Sequence, residues 1–307
     1  MTGLRETLAG YLAVRRSLGY KLARPEKLLA QFIAYLEDKG EVTVSTEHAL
    51  AWAMLPGRDA NWHAHRLSVV RGFAAYLHTI DPAAEVPAAG LIPSRPRRAT
   101  PYLYSDAEIT ALIAAAASLR FPLRTATYQT PIGLLAVTGM RVGEAIRLDR
   151  ADLDLDGGVI TVRQSKFGKT RLVPLHPTTV TALRSYLRLR DRLHARPLSP
   201  AVFISPAGTR LLYCNVHATW KLLAASAGIK PRSAACRPRI HDLRHAFAVA
   251  SLLDAYAAGR DGQARLALLS TYLGHVDPSH TYWYLTAAPE LLALAGQRLE
   301  DHLAGLP

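Results

Sequence analysis

The stretch GGVITVRQSKFGKTRLVPL, residues 157–175, differs in period from the sequence on either side of it. Apolar and polar residues alternate through VITVR and again through TRLVPL, the period of a strand with one face buried. Ser165 to Gly168 lie between them as a turn. On both flanks the period is helical: apolar residues recur at three and four spacings upstream to Val137 and downstream from Pro177. One hairpin set in helical sequence places the chain in the mainly α class with a small β-hairpin or sheet, an α+β arrangement.

Upstream, LRETLAGYLAVRRSLGY, PEKLLAQFIAYLEDKG and ANWHAHRLSVVRGFAAYLH each present an apolar helical face. Gly40 closes the second, and Ser45 or Thr46 caps a shorter helix running to Leu55. Residues 1–81 therefore read as an all-helical unit. In DPAAEVPAAGLIPSRPRRATP five prolines forbid a regular helix, so residues 82–103 read as a linker whose Arg95, Arg97 and Arg98 are placed to lie on phosphates. Ser105 followed by Glu108 is a capping box that opens a second domain, residues 104–307.

The chain has 307 residues, half of them apolar, enough for one large or two ordinary cores. Its 37 basic against 24 acidic residues leave +13. Such an excess favours a polyanion, nucleic acid first, over a merely solvated basic surface. Cys214 and Cys236 make neither a disulfide framework nor a four-cysteine zinc site, so a reducing cytoplasm is expected. No signal peptide and no uncharged apolar run of about eighteen residues is visible, and no membrane partner is expected.

Four segments of the second domain carry chemistry-bearing residues: TGMRVGEAIRL (138–148), QSKFGKTRLVPL (164–175), HDLRHAF (241–247) and LGHVDPSHTYWYL (273–285). Singly each has a plain reading: Arg141 and Glu144 as a helix-surface pair, Lys166 as a solvated turn lysine, Tyr282, Trp283 and Tyr284 as aromatics capping a core. His241 and His245 have the spacing of metal ligands on one helix face, but Asp242 stands where a zincin has glutamate, so no metal is expected. His241 and Arg244 share a face as well, and an imidazole beside a guanidinium suits a phosphate better than a cation.

Taken in order, Arg141, Lys166, His241-x-x-Arg244, Leu273-Gly274-His275 and a following tyrosine resemble the tyrosine recombinase (phage integrase, XerC/XerD-like) family. The resemblance implies a helical SAM-like core-binding domain followed by a tyrosine recombinase catalytic domain. It implies catalytic roles for Arg141, Lys166, His241, Arg244, His275 and Tyr284, with Glu144 supporting the first arginine. The nucleophile is Tyr284, nine residues beyond His275, and Tyr282 falls two short. Lys166 is favoured over Lys169 as proton donor: lysine can give up a proton where arginine cannot, and only seven of the 37 basic residues are lysines. His241 is assigned to proton transfer at the tyrosyl oxygen, with phosphate orientation as the other reading.

The implied activity is that of a site-specific DNA recombinase or integrase working through a 3′-phosphotyrosyl intermediate without cofactor. The alternatives are a type IB topoisomerase-like nicking-closing enzyme and a DNA-binding regulator that has lost catalysis. The implied partners are double-stranded DNA with inverted-repeat sites and three further copies in a homotetramer, or related recombinases in a mixed assembly. The segment between Arg244 and His275 is longer than is usual in the family. Residues 257–263 are expected as a loop, either a surface extension or a contact to DNA or a neighbouring subunit. The TYWYL form resembles recombinases of mobile elements. From Pro289, leucines give the C-terminal segment an apolar helical side, to dock in cis or on a neighbour.

Overall fold

The computed structural model describes residues 3–57, 59–94, 99–163, 170–274, 281–282, 293, 296 and 300, and the chain divides into two units, Met1–Arg98 and Ala99–Pro307. In the first, α1 (Leu4–Ser17), α2 (Ala23–Asp38), α3 (Thr46–Ala53) and α4 (Ala60–His78) pack around one core. Their apolar stripes supply it: Leu29, Phe32, Ile33, Leu36, Val70 and Phe73 are fully buried. Ser45 and Asp59 cap α3 and α4 by accepting from the His48 and Trp62 backbone amides at 3.2 and 2.9 Å, offsetting donors that a helix start leaves without partners.

The stretch expected as a linker carries contacts at both ends. Ala84 is buried in the first core with Ile92 against it, and the Pro87 carbonyl accepts from Arg71 Nε at 3.0 Å. Tyr102 is buried in the second unit. Proline prevents a helix there but does not prevent apolar side chains from packing.

The second unit runs α5 (Asp106–Ala115), α6 (Pro122–Thr138), α7 (Val142–Arg147), β1 (Leu153–Asp154), β2 (Val159–Val162), β3 (Arg171–Pro174), α8 (Pro177–Leu193), α9 (Tyr213–Ser226), α10 (Asp242–Ala257) and α11 (Gly262–Leu273). The Ser105–Glu108 capping box opens α5. Helix α6 is central, packing against α5, α7, α8 and α10. The three strands form an antiparallel sheet in the order β1-β2-β3, with Ile160 opposite both Leu153 and Val173. β1, which the sequence pattern does not single out, has only two residues, too few to show a period. Val162 pairs with Arg171 at the turn end of the hairpin, so the connection that carries Lys166 and Lys169 lies between them; residues 164–169 are outside the described residues.

The segment between Arg244 and residue 275 is mainly helix. α10 and α11 pack through Val249, Leu252, Leu266, Leu269 and Leu273. The expected loop narrows to residues 258–261, where Asp261 caps α11 by accepting from Gln263 and Ala264. None of the described helices is long and apolar enough to cross a membrane.

Candidate active site

Helix α6 stops at Gly139, which takes the left-handed conformation (φ 58°). A Cβ there would collide with the Phe247 ring and come within 3.1 Å of Leu273 Cδ2, so this position needs glycine for both conformation and space. The close approach seats the end of α6 against α10 and α11. Two residues on, Arg141 is the N-cap of α7 in extended backbone and Glu144 is its third residue.

The Glu144 carboxylate is almost completely buried and has two guanidinium partners. Its Oε2 accepts from the Arg141 backbone amide at 2.9 Å and its Oε1 from Arg141 Nη1 at 2.9 Å. Arg171, on β3, donates Nη1 to Oε1 at 3.1 Å and Nη2 to Oε2 at 2.7 Å. Four hydrogen bonds thus occupy the two oxygens, about the full lone-pair capacity of a carboxylate. Burial alone would raise the Glu144 pKa, but the Arg171 fork, its charge and the Arg141 bonds outweigh it and hold the group down at about 2. The acid stays ionised, and the Arg141 guanidinium, a quarter exposed, is fixed on one side and open on the other.

Arg244, in the first turn of α10, is 2% exposed. Its Nη1 donates to the Gly139 carbonyl at 2.9 Å and its Nη2 to the Leu273 carbonyl at 2.7 Å. Both carbonyls belong to helix ends, where backbone acceptors lack intrahelical partners. One side chain therefore ties together the segments that lead to Arg141 and to His275. Three residues earlier, His241 stands at the N-cap position of α10 without a side-chain cap bond and is exposed to solvent. The protein wall around the imidazole, then the charge of Arg244, lower its pKa; Asp242 opposes this, and Arg141 and Arg239 add to it. Asp242 is fully buried, and both its oxygens accept from the Arg239 guanidinium, at 2.7 and 2.9 Å. The His241 and His245 rings meet edge to face with centroids 5.3 Å apart.

Among the described residues the structure thus brings Arg141, Glu144, His241 and Arg244 into one region. Lys166, His275 and Tyr284, with Trp283 and Lys169, lie outside the described residues. Tyr282 is described and is 55% exposed. Sequence reasoning did not single out Arg171. Its signal is the strand period, which puts Arg171 on the same face as fully buried Val173 while Leu172 between them is 64% exposed. A charge on the inward face of a strand needs a partner.

The sequence matches the phage integrase family over residues 103–290. The chain belongs to the phage integrase family. Its relatives in this family include the putative integrase/recombinase y4rB of Sinorhizobium fredii, 44% identical over 98% of each chain. Tyrosine recombinase XerC of Azotobacter vinelandii is 31% identical over 75% of this chain and 71% of its own. The fold is that of the Tn1549 transposon integrase solved with transposon right end DNA: the TM-score is 0.62 over 97% of this chain and 99% of that one, at 16% identity. This phage integrase family member is accordingly an enzyme of the tyrosine recombinase type.

Proposed function

We propose that the chain is a site-specific DNA recombinase that cleaves and rejoins strands through a 3′-phosphotyrosyl intermediate. The observation that carries this reading is the convergence of two fixed guanidinium groups, Arg141 on Glu144 and Arg244 on two helix-end carbonyls, beside a histidine held toward its neutral form. Two planar cations set before the substrate arrives suit the nonbridging oxygens of a phosphodiester, whose charge redistributes in the transition state. The +13 charge of the chain favours duplex DNA as the polyanion, in keeping with the DNA-bound Tn1549 integrase that shares the fold.

In the first step the Tyr284 oxygen attacks phosphorus, the P–O5′ bond breaks, and Lys166 gives the departing 5′ oxygen its proton. Neutral His241 accepts the tyrosyl proton, Arg141 and Arg244 neutralise the phosphoryl oxygens, and His275 adds a donor. The reverse attack by a 5′ hydroxyl of another strand rejoins the DNA and frees the tyrosine. The phosphodiester energy is kept in the phosphotyrosyl bond, so no nucleotide cofactor enters. Exchange of two duplexes takes four such cleavages, and with one nucleophile per chain it calls for four copies on paired inverted-repeat sites.

A nicked suicide substrate tests the reading. The wild-type chain and Tyr282→Phe trap covalent protein on DNA, whereas Tyr284→Phe binds DNA and traps none. A phosphotyrosine mapped to residue 282 overturns the assignment. Relaxation of supercoiled DNA lacking paired sites, by a monomer, points instead to a nicking-closing enzyme.

A further inference from the structure

We infer that Arg171 is a positioning residue of the reaction, clamping the buried Glu144 carboxylate so that Arg141 keeps one direction, and tying the hairpin to the segment that enters His275. The inference rests on the recombinase reading above and concerns a residue outside the set of Arg141, Lys166, His241, Arg244, His275 and Tyr284.

Three observations meet at this side chain. First, Arg171 fills the second lone-pair site on both Glu144 oxygens, at 3.1 and 2.7 Å, in the two-pronged geometry a guanidinium alone provides. Second, it is nearly buried, 12% exposed against 1% for Glu144, so this ion pair lies in low dielectric, where direction and charge count for more than at a surface. Third, it passes against Gly274, the residue before His275: a Cβ on Gly274 would lie 3.4 Å from Arg171 Nη1 and 3.5 Å from Cδ, and Gly274 has φ 69°. Arg171 is also the first residue of β3, paired with Val162 at the end of the hairpin from which the connection with Lys166 departs.

The consequence follows from charge. The groups that face Glu144 are Arg141 and Arg171, and both stabilise its ionised form. With Arg171 gone, a buried carboxylate keeps only the partly exposed Arg141. It then takes up a proton at higher pH, and one oxygen turns from acceptor to donor. Arg141 loses its anchor in the same event. Arg171 touches neither the phosphate nor the nucleophile in this account, so its effect passes entirely through Glu144 and the neighbouring segment.

The test measures single-turnover covalent trapping on nicked DNA across pH, with DNA affinity measured alongside, for Arg171→Lys, Glu144→Gln and the double variant. Arg171→Lys keeps a positive charge but not the fork. We expect it to slow cleavage by about ten- to a hundredfold, to add a Glu144 step on the acid side of the rate profile to the His241 step that the wild type also shows, and to leave DNA affinity unchanged. Glu144→Gln slows cleavage comparably and has no Glu144 acid limb. In that background Arg171→Lys adds little, since the group it acts through is already neutral. The inference is overturned if Arg171→Lys cleaves like the wild type, if its acid side shows no step beyond that of His241, or if the two losses multiply in the double variant. Glu144→Gln alone cleaving normally also overturns it, whether or not Arg171→Lys folds. If the wild-type chain traps no DNA, it is the recombinase reading that fails.

Discussion

In the first unit Arg66 is buried with its guanidinium 3.9 Å from the Trp52 ring centroid and no ion pair among the described residues, whereas in the second unit the nearly buried Arg171 donates to the Glu144 carboxylate and the buried Arg244 to the Gly139 and Leu273 carbonyls. The first core is otherwise apolar: the Phe32 and Trp52 rings meet at a tilt with centroids 5.2 Å apart, and Thr7 and Arg66 are its only buried polar residues among those described. The second buries Glu144, Asp152, Asp242, Arg190 and Arg244. Aromatic packing over a cation stabilises without fixing a direction. A buried fork on a carboxylate or on two carbonyls does fix one, and because desolvating the charges costs stability, it is a feature better explained by a need for geometry.

That contrast can be broken most sharply at Arg244. Arg244→Met is expected to lower single-turnover cleavage by about 10³-fold or more, combining the loss of a transition-state donor with displacement of the segments it ties. It also leaves the Gly139 and Leu273 carbonyls without their donor, so thermal or denaturant unfolding should show a loss of about 3 kcal/mol. Activity lost without any change in stability would show that Arg244 does not hold these helix ends.

Next in size is the stability held by Glu144. Its folded pKa, about 2, lies below the ordinary carboxylate value of 4.5. Its contribution is therefore complete above about pH 4.5 and is lost as the pH falls toward 2. The difference corresponds to about 3 kcal/mol. Denaturant unfolding at pH 7 and at successively lower pH should show this loss in the wild type, and Glu144→Gln should remove that part of the pH dependence. An unchanged acid limb would place the ionised carboxylate outside the folded unit's energetics.

His241 sharpens the comparison by rate rather than stability. Its pKa lies below that of a free imidazole, chiefly from the surrounding protein and Arg244. The neutral, proton-accepting form thus persists to lower pH, and cleavage should rise with pH through a midpoint below 6.5 and level off above it. His241→Gln should remove that step and slow cleavage about a hundredfold. A midpoint unmoved by His241→Gln would assign the titration to another group. The smallest effect is expected in the first unit: Arg66→Met should change stability by no more than about 1 kcal/mol and leave cleavage rate per bound complex unaltered.

Much of the secondary structure was legible because its signals are local. The helical stripes of α1, α2 and α4, the Ser45 and Ser105 caps and the two long strands of the hairpin all follow from residues within a few positions of one another. Arg141 with Glu144 was legible for the same reason, since one turn of α7 brings them together. The partners of Arg171 and Arg244 were not. Arg171 reaches a carboxylate 27 residues away, and Arg244 reaches carbonyls 105 and 29 residues away. No period or cap encodes such pairs; those of Arg244 form where Gly139 lets α6 end against α10 and α11.

The sequence by itself determined the helical class, the hairpin and the order of chemistry-bearing residues that marks the family, because propensity, period and motif act over short stretches of chain. Only the tertiary structure decided that Glu144 serves two arginines rather than one, that Arg244 binds backbone while sitting among the site residues, and that residues 82–103 pack at both ends. The physical reason is that a buried charge is tolerated only where hydrogen-bond partners surround it, and those partners come from wherever packing brings the chain together.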